Sequence, residues 1–156
     1  MKVLLPALLL LFVWGCDSDD PTTASLEGRY TGGDAASFST PSGTVFITYD
    51  IDLDIDPPGQ SGTFMGDATL ERGPVENASA LTGRGTVSGT LSGSNVTFSA
   101  TASNFVSRHA TSHERGGGLR LDAEGTLTSD GALLLEATIL DFAYGRSEPF
   151  NLALQK

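Results

Sequence analysis

The sequence predicts an all-β fold, an antiparallel meander of about eight strands that closes into an up-and-down barrel. Three observations predict it. Apolar residues recur at every second position in successive segments, short turn sequences rich in Gly, Ser, Asn and Pro separate these segments, and no window carries an apolar stripe of helical period longer than a turn or two. An open β-sandwich is the alternative architecture.

The clearest strand covers residues 45–56, where two kinds of side chain alternate without a break. One side carries Val45, Ile47, Tyr49, Ile51, Leu53 and Ile55, and the other carries Phe46, Thr48, Asp50, Asp52, Asp54 and Asp56. This alternation predicts a half-buried strand. Pro57-Pro58-Gly59 ends it, because proline cannot donate a hydrogen bond to a sheet.

The same period-two pattern recurs in seven further segments. Their inward positions are Leu26, Gly28 and Tyr30; Phe64, Gly66, Ala68 and Leu70; Leu81, Gly83, Gly85, Val87, Gly89 and Leu91; Val96, Phe98, Ala100 and Ala102; Leu119, Leu121, Ala123 and Leu127; Leu133, Leu135, Ala137 and Ile139; Phe150, Leu152 and Leu154. Turns are expected at Ser92-Gly93-Ser94-Asn95 and at Ser129-Asp130-Gly131. Antiparallel strands in sequence order can close on themselves and leave no exposed edge, and inward glycines permit the bending that closure needs.

The first fifteen residues have the build of a secretory signal: a positive start at Lys2, an apolar run over residues 4–13 and the small residue Gly15. A transmembrane helix needs about 20 apolar residues, so this run is too short to span a bilayer. We therefore expect residues 1–15 to be removed.

The tetrapeptide Val13-Trp14-Gly15-Cys16 resembles the lipobox of bacterial lipoproteins, although Trp14 departs from the usual small or β-branched residue. The resemblance implies a diacylglyceryl thioether on Cys16, cleavage before it and often a third acyl chain such as palmitate on the new amino group. The alternative is an ordinary signal peptide with an incidental cysteine. Because Cys16 is the only cysteine, it cannot form an internal disulfide, and acylation would remove a reactive thiol from an oxidising compartment.

Residues 16–25 are then a lipidated cysteine and a flexible acidic tether, and residues 26–156 are one β-barrel domain. Loss of Lys2 with the signal changes the formal charge from −10 to −11. A chain this acidic lacks the basic surface that a nucleic-acid phosphate backbone requires, so nucleic acid is not expected as a partner. The expected location is the cell envelope, anchored to a membrane through lipid on Cys16, on the periplasmic face or at the cell surface.

Gly-Thr-x repeats carry much of the strand pattern, as in Gly62-Thr63-Phe64, Gly85-Thr86-Val87 and Gly125-Thr126-Leu127. They resemble the small lipocalin-like barrels of bacterial envelope lipoproteins, and Gly28-Arg29-Tyr30 stands where lipocalins carry Gly-x-Trp on their first strand. The resemblance implies an apolar or amphipathic small ligand in the barrel or at its mouth. Inward small residues beside Phe64, Phe98 and Phe150 could hollow such a barrel or let it close tightly.

Four aspartates, Asp50, Asp52, Asp54 and Asp56, raise a calcium hypothesis because carboxylates suit hard cations. On a strand, side chains on one face lie roughly 7 Å apart, so these carboxylates do not converge on one ion. An EF-hand loop would also need a glycine where Ile55 stands. A solvated outer face is the preferred interpretation, a cation site at the Asp54 and Asp56 end is the alternative, and no metal is expected.

The segment 104–118 holds both histidines, and the candidate binding residues are Arg108, His109, His113 and Arg115. His109 and His113 would share a face only in a helix, and the following glycines do not support one. A surface loop is preferred over zinc. Contact with an anion or a partner through Arg108, Arg115 and Arg120 is the remaining possibility.

Three functions follow: a binding module for a small apolar or amphipathic ligand, a structural or protein-interaction lipoprotein without a small ligand, and, ranked third, a hydrolase. There is no G-x-S-x-G elbow. The expectation is a non-enzymatic protein without cofactor and without catalytic residues, whose partners are the membrane and either a small ligand or an envelope protein.

Overall fold

A computed structural model of the chain describes residues 25–74, 80–107 and 117–156. The predicted signal peptide, Cys16 and the tether up to residue 24 lie outside these residues. The described ranges contain strands, turns and irregular segments and no helix. Accordingly, no helix in them is long and apolar enough to cross a membrane.

Within these ranges nine strands form one sheet. They are β1 Gly28–Thr40, β2 Gly43–Ile55, β3 Thr63–Arg72, β4 Leu81–Ser92, β5 Asn95–Ser107, β6 Leu119–Leu127, β7 Leu133–Asp141, β8 Gly145–Arg146 and β9 Phe150–Leu154. From β1 to β7 each strand pairs antiparallel with the next, as in a meander. The predicted all-β antiparallel meander is confirmed, including the two-residue turn at Gly93-Ser94.

The last two strands share the position of one. Both pair with β7 on the edge that β6 leaves free, Arg146 opposite Leu140 and Phe150 opposite Ala137. The chain between them therefore carries one more residue than the facing part of β7, which is a β-bulge. Pro149 lies in it. With β8 and β9 counted as one interrupted strand, the barrel has the eight strands that the sequence predicts.

The sheet closes between β1 and the last strand. Thr31 and Gln155 exchange two backbone hydrogen bonds of 2.8 Å, and the Glu148 N–H donates to the Ser37 carbonyl at 2.9 Å. Between these two connections β1 and β9 form no ladder, and this unsealed stretch is called the seam below. A nearly closed barrel is thus confirmed over the open sandwich.

The first strand is longer than predicted. The sequence pattern identified a strand only around Leu26 to Tyr30, whereas β1 continues to Thr40 with Ala36 and Phe38 buried. Gly32-Gly33-Asp34 interrupts the apolar alternation, so the pattern is lost although the backbone stays extended. Pairing with all of β2 carries the strand through this interruption.

The barrel interior is filled by side chains. The largest fully buried ones include Tyr30, Tyr49 and Phe38. A Cβ atom built on Gly83 would lie 2.6 Å from the Phe105 ring, and one on Gly89 would lie 2.6 Å from the Phe64 ring. The inward glycines therefore make room for aromatic rings, and this mixture of small and aromatic residues packs the barrel.

The two ends of the barrel differ. At the terminal end the chain enters at Ser25 and finishes at Lys156, and the Lys156 ammonium donates to the Ser25 carbonyl at 2.9 Å. At the opposite end, called the loop end, β3 and β5 finish and β4 and β6 begin. The connections 73–80 and 108–118 start and finish there.

Candidate functional site

The loop end of the barrel contains a buried carboxylate. Asp141, at the end of β7, is 2% exposed and, with Ser147, is one of two buried polar or charged residues among the described ones, tyrosines aside. The Tyr49 hydroxyl donates to its Oδ2 at 2.9 Å, and the Ala143 N–H donates to its Oδ1 at 2.7 Å. A buried carboxylate is costly unless such donors surround it.

Arg72 completes this cluster. Its guanidinium lies 3.4 Å from Asp141 Oδ2 and 5.7 Å from the centre of the Tyr144 ring. Tyr144 in turn lies 5.8 Å from Phe38, measured between ring centroids. Charge pairing, the cation–π contact and the tilted ring contact therefore join β1, β3 and β7 at this end of the barrel.

Tyr49 has a perturbed acidity. Burial raises its pKa above the ordinary tyrosine value, and the adjacent Asp141 carboxylate, which accepts its hydrogen bond, raises it further. Tyr49 therefore stays protonated and acts as a hydrogen-bond donor throughout the physiological pH range.

A small recess lies beside this cluster, lined among others by Arg72, Phe105, Leu119 and Asp141. Its volume is about 10 Å³, which is room for a single water molecule. In the described structure this polar cluster fills the space between the apolar core and the loop end.

The larger recesses lie on the outer face. A groove of about 920 Å³ crosses the seam and is lined by residues of β1, β5, β6, β7 and β9; we call it the long groove. A neighbouring recess of about 480 Å³ shares Thr97, Glu124 and Glu136 with it. Both open to solvent on the side of the sheet opposite the packed interior.

One row of residues runs across the floor of the long groove. Thr97 lies opposite Glu124, Glu124 opposite Glu136, and Glu136 opposite Asn151, so four neighbouring strands contribute one side chain each. Both glutamates are exposed. Like charges directly opposite each other destabilise a sheet, which makes this pair an unfavourable arrangement for the isolated barrel.

The predicted binding segment with its histidines and arginines lies outside the described residues. The binding role of Arg108, His109, His113 and Arg115 therefore remains a prediction. Arg120 is described: its Nε donates to Asp122 Oδ1 at 2.8 Å on the outer face of β6.

The aspartate column on β2 lies on the outer face, as its alternation predicts. Asp50, Asp54 and Asp56 are exposed, and Asp52 accepts a hydrogen bond of 2.8 Å from the Arg29 Nε. Within the described ranges no three His, Cys, Asp or Glu side chains are grouped so that they could hold a metal ion. The column therefore has the geometry of a charged outer surface.

Sequence reasoning did not identify Arg72 and Asp141 as site residues. A signal was present, because Arg72 continues the inward row of Phe64, Ala68 and Leu70, and Asp141 continues the inward row of Leu133 to Ile139. A charged residue on an inward row requires a partner or an opening.

Comparison with protein-family models, with curated proteins and with solved structures finds no match to this chain.

Proposed function

We propose that this chain is an envelope lipoprotein, anchored through lipid on Cys16, whose barrel binds a protein partner on its outer surface. The observation that carries the choice of an outer surface is the position of free space: the barrel interior is packed, whereas grooves of about 920 and 480 Å³ open outward. A carrier that holds a small apolar ligand inside the barrel would need an apolar cavity of several hundred Å³ there.

The anchoring part rests on the sequence. Val13-Trp14-Gly15-Cys16 follows an apolar run and precedes an acidic stretch. The chain enters the barrel at Ser25, at the terminal end, so an anchor on Cys16 would leave the loop end as the end farther from the chain's entry. The outer face and the loop end would then both be accessible to other envelope proteins.

A second candidate function is binding of an apolar or amphipathic small ligand at the mouth of the barrel. The recess beside Arg72 and Phe105 favours it, because it pairs an apolar wall with a guanidinium that could hold an anionic head group. Its volume of about 10 Å³ requires movement of the loop end before any such ligand enters.

The anchor is tested by comparing the full chain with Cys16→Ser. The wild-type chain is expected in the membrane fraction, with a mass increase from acyl chains on its new amino-terminal peptide. Cys16→Ser is expected to lose both. A wild-type chain that is soluble and carries no lipid would contradict the anchor.

The binding part is tested by photo-crosslinking in intact cells from a benzoylphenylalanine placed at Thr126, which lines the long groove. The matched control carries the same group at Thr63, an exposed strand position that does not line it. Covalent adducts to another protein from Thr126 support the proposal. Recovery of only the monomer, together with a small molecule seen in native mass spectra of the purified lipoprotein, would favour the second candidate instead.

A further inference from the structure

The charges in the long groove are not balanced within the described barrel. Glu124 and Glu136 face each other across β6 and β7, and neither forms a hydrogen bond or an ion pair with another described residue. Two cations of the same part of the sheet are engaged with Asp122, which binds Arg120 at 2.8 Å and Arg146 at 3.9 Å. The groove is therefore left with uncompensated negative charge.

The far wall of the groove adds to this charge. Asp34 lies at the seam, exposed, and one of its carboxylate oxygens accepts the Ala35 N–H at 2.7 Å. Beside it, β1 and β9 form no ladder along the seam, so the backbone edge of β1 faces the groove around Gly33. Exposed sheet edges and facing carboxylates are both features that an extended chain can bind.

We propose that the long groove docks an extended basic segment of a partner protein, an inference that rests on the proposed function. Charge complementarity selects this occupant: the chain carries a formal charge of −10, and the groove concentrates three carboxylates without a free cation among the described residues.

The spacing fits such a segment. Side chains at alternate positions of an extended peptide lie about 7 Å apart, and directly opposed residues in an antiparallel sheet lie about 5 Å apart. Two lysine stems at alternate positions can therefore reach Glu124 and Glu136 together. The row from Thr97 to Asn151 crosses four strands, which corresponds to roughly 14 Å or four to five extended residues.

The test measures binding of a fluorescein-labelled ten-residue peptide of alternating lysine and threonine to the full lipidated chain in non-ionic detergent, by fluorescence anisotropy at low salt. The groove variant is Glu124→Gln with Glu136→Gln. The matched control is Asp54→Asn with Asp67→Asn, because these two exposed aspartates also face each other across neighbouring strands but do not line the groove.

Both double variants remove the same charge and relieve a like-charge pair, so neither is expected to lower the thermal midpoint of unfolding. The groove variant is expected to weaken binding roughly tenfold, and the control less than about twofold. Binding should also weaken as salt is added, and a peptide of alternating glutamate and threonine should not bind.

Equal weakening by both variants would mean general attraction to an acidic protein and would overturn the groove as a docking site, as would no weakening by either. The proposed function is tested separately. If a partner is crosslinked in cells and the groove variant does not reduce this crosslinking, the proposed function is supported but the long groove is not its binding site. If no protein is crosslinked in cells, the proposed function is contradicted. The peptide measurement on purified protein still decides separately whether the long groove binds a basic segment.

Discussion

Asp141 shows how a single buried charge organises the loop end of the barrel. Its carboxylate collects the Tyr49 hydroxyl, the Ala143 N–H and the Arg72 guanidinium, which come from two other strands and a turn. Tyr49 and Asp141 are 92 residues apart in the chain, so their contact exists only once the barrel has closed. The cluster stabilises the closed form because each buried polar group has a partner.

Alkaline pH is expected to destabilise the barrel through Tyr49. Its pKa in the folded chain is raised by burial and by Asp141, whereas in the unfolded chain it ionises near pH 10. Its contribution is complete below that pH and is lost as pH rises above it, since only the unfolded state then releases the proton. Urea unfolding followed by circular dichroism between pH 8 and 11 measures this loss.

The Tyr49→Phe variant is the control for that prediction. At pH 7 it should be less stable by about 1.5 kcal/mol because the hydrogen bond to a charged acceptor is lost. Above pH 10 its stability should fall less steeply than that of the wild type. Tyr30, whose pKa burial also raises, leaves a residual slope in both proteins. Identical slopes would show that Tyr49 ionises normally in the folded barrel.

The strands differ in how far their sequences determine them. In β2 the alternation of apolar and polar residues, broken only by the outward Phe46, fixes both the strand and its inward face, and β7 keeps an inward apolar row from Leu133 to Ile139 although Leu134 and Leu140 stand on its outer row. In β1 the Gly32-Gly33-Asp34 stretch has no alternation, and the strand exists there because β2 offers a complete partner. The interruption between β8 and β9 contains Pro149, which cannot donate a backbone hydrogen bond to β7, so here the local sequence does mark the break.

The candidate sites were predictable only in part. The alternation of inward and outward positions along each strand places Arg72 and Asp141 inside the barrel. Their contacts in the cluster with Tyr49, however, depend on which strands face each other across the barrel. The facing of Glu124 and Glu136 depends on the register of β6 against β7, which the turn at 128–132 sets. Which residues of a strand point inward can be predicted from sequence, whereas the pairing register and the closure of the barrel are determined only when the strands assemble.

Gly83→Ala is expected to destabilise the barrel by about 1–3 kcal/mol, because the new Cβ would lie 2.6 Å from the Phe105 ring in a packed interior. Gly59→Ala is the matched control: its Cβ would meet Thr63 only at ordinary contact distance, 3.6 Å. Chemical denaturation of both variants measures the difference. Equal stability of the two would indicate free space around Phe105 and reopen the interior as a ligand site.

At the scale of the whole molecule, ladders between successive strands close the described part of the barrel, and the seam between β1 and β9 is unsealed. The two connections that bound it, Thr31 to Gln155 and Glu148 to Ser37, hold β1 and β9 near each other without completing a ladder. Asp34 stands on the inward row of β1 at this place and remains exposed. A carboxylate there resists burial, so it opposes both inward collapse of the seam and pairing with an apolar strand of another molecule.

Asp34→Val is therefore expected to promote self-association, because it replaces the guarding charge on an incompletely paired edge with a β-branched residue that favours strands. Asp67→Val makes the same change on the outer face of β3, whose two edges are paired with β2 and β4, and should leave the association state unchanged. Light scattering over a range of protein concentrations distinguishes the two. If both variants associate to the same extent, the effect comes from the lost charge alone; if neither does, the seam is already protected by its two flanking connections and Asp34 is not its guard.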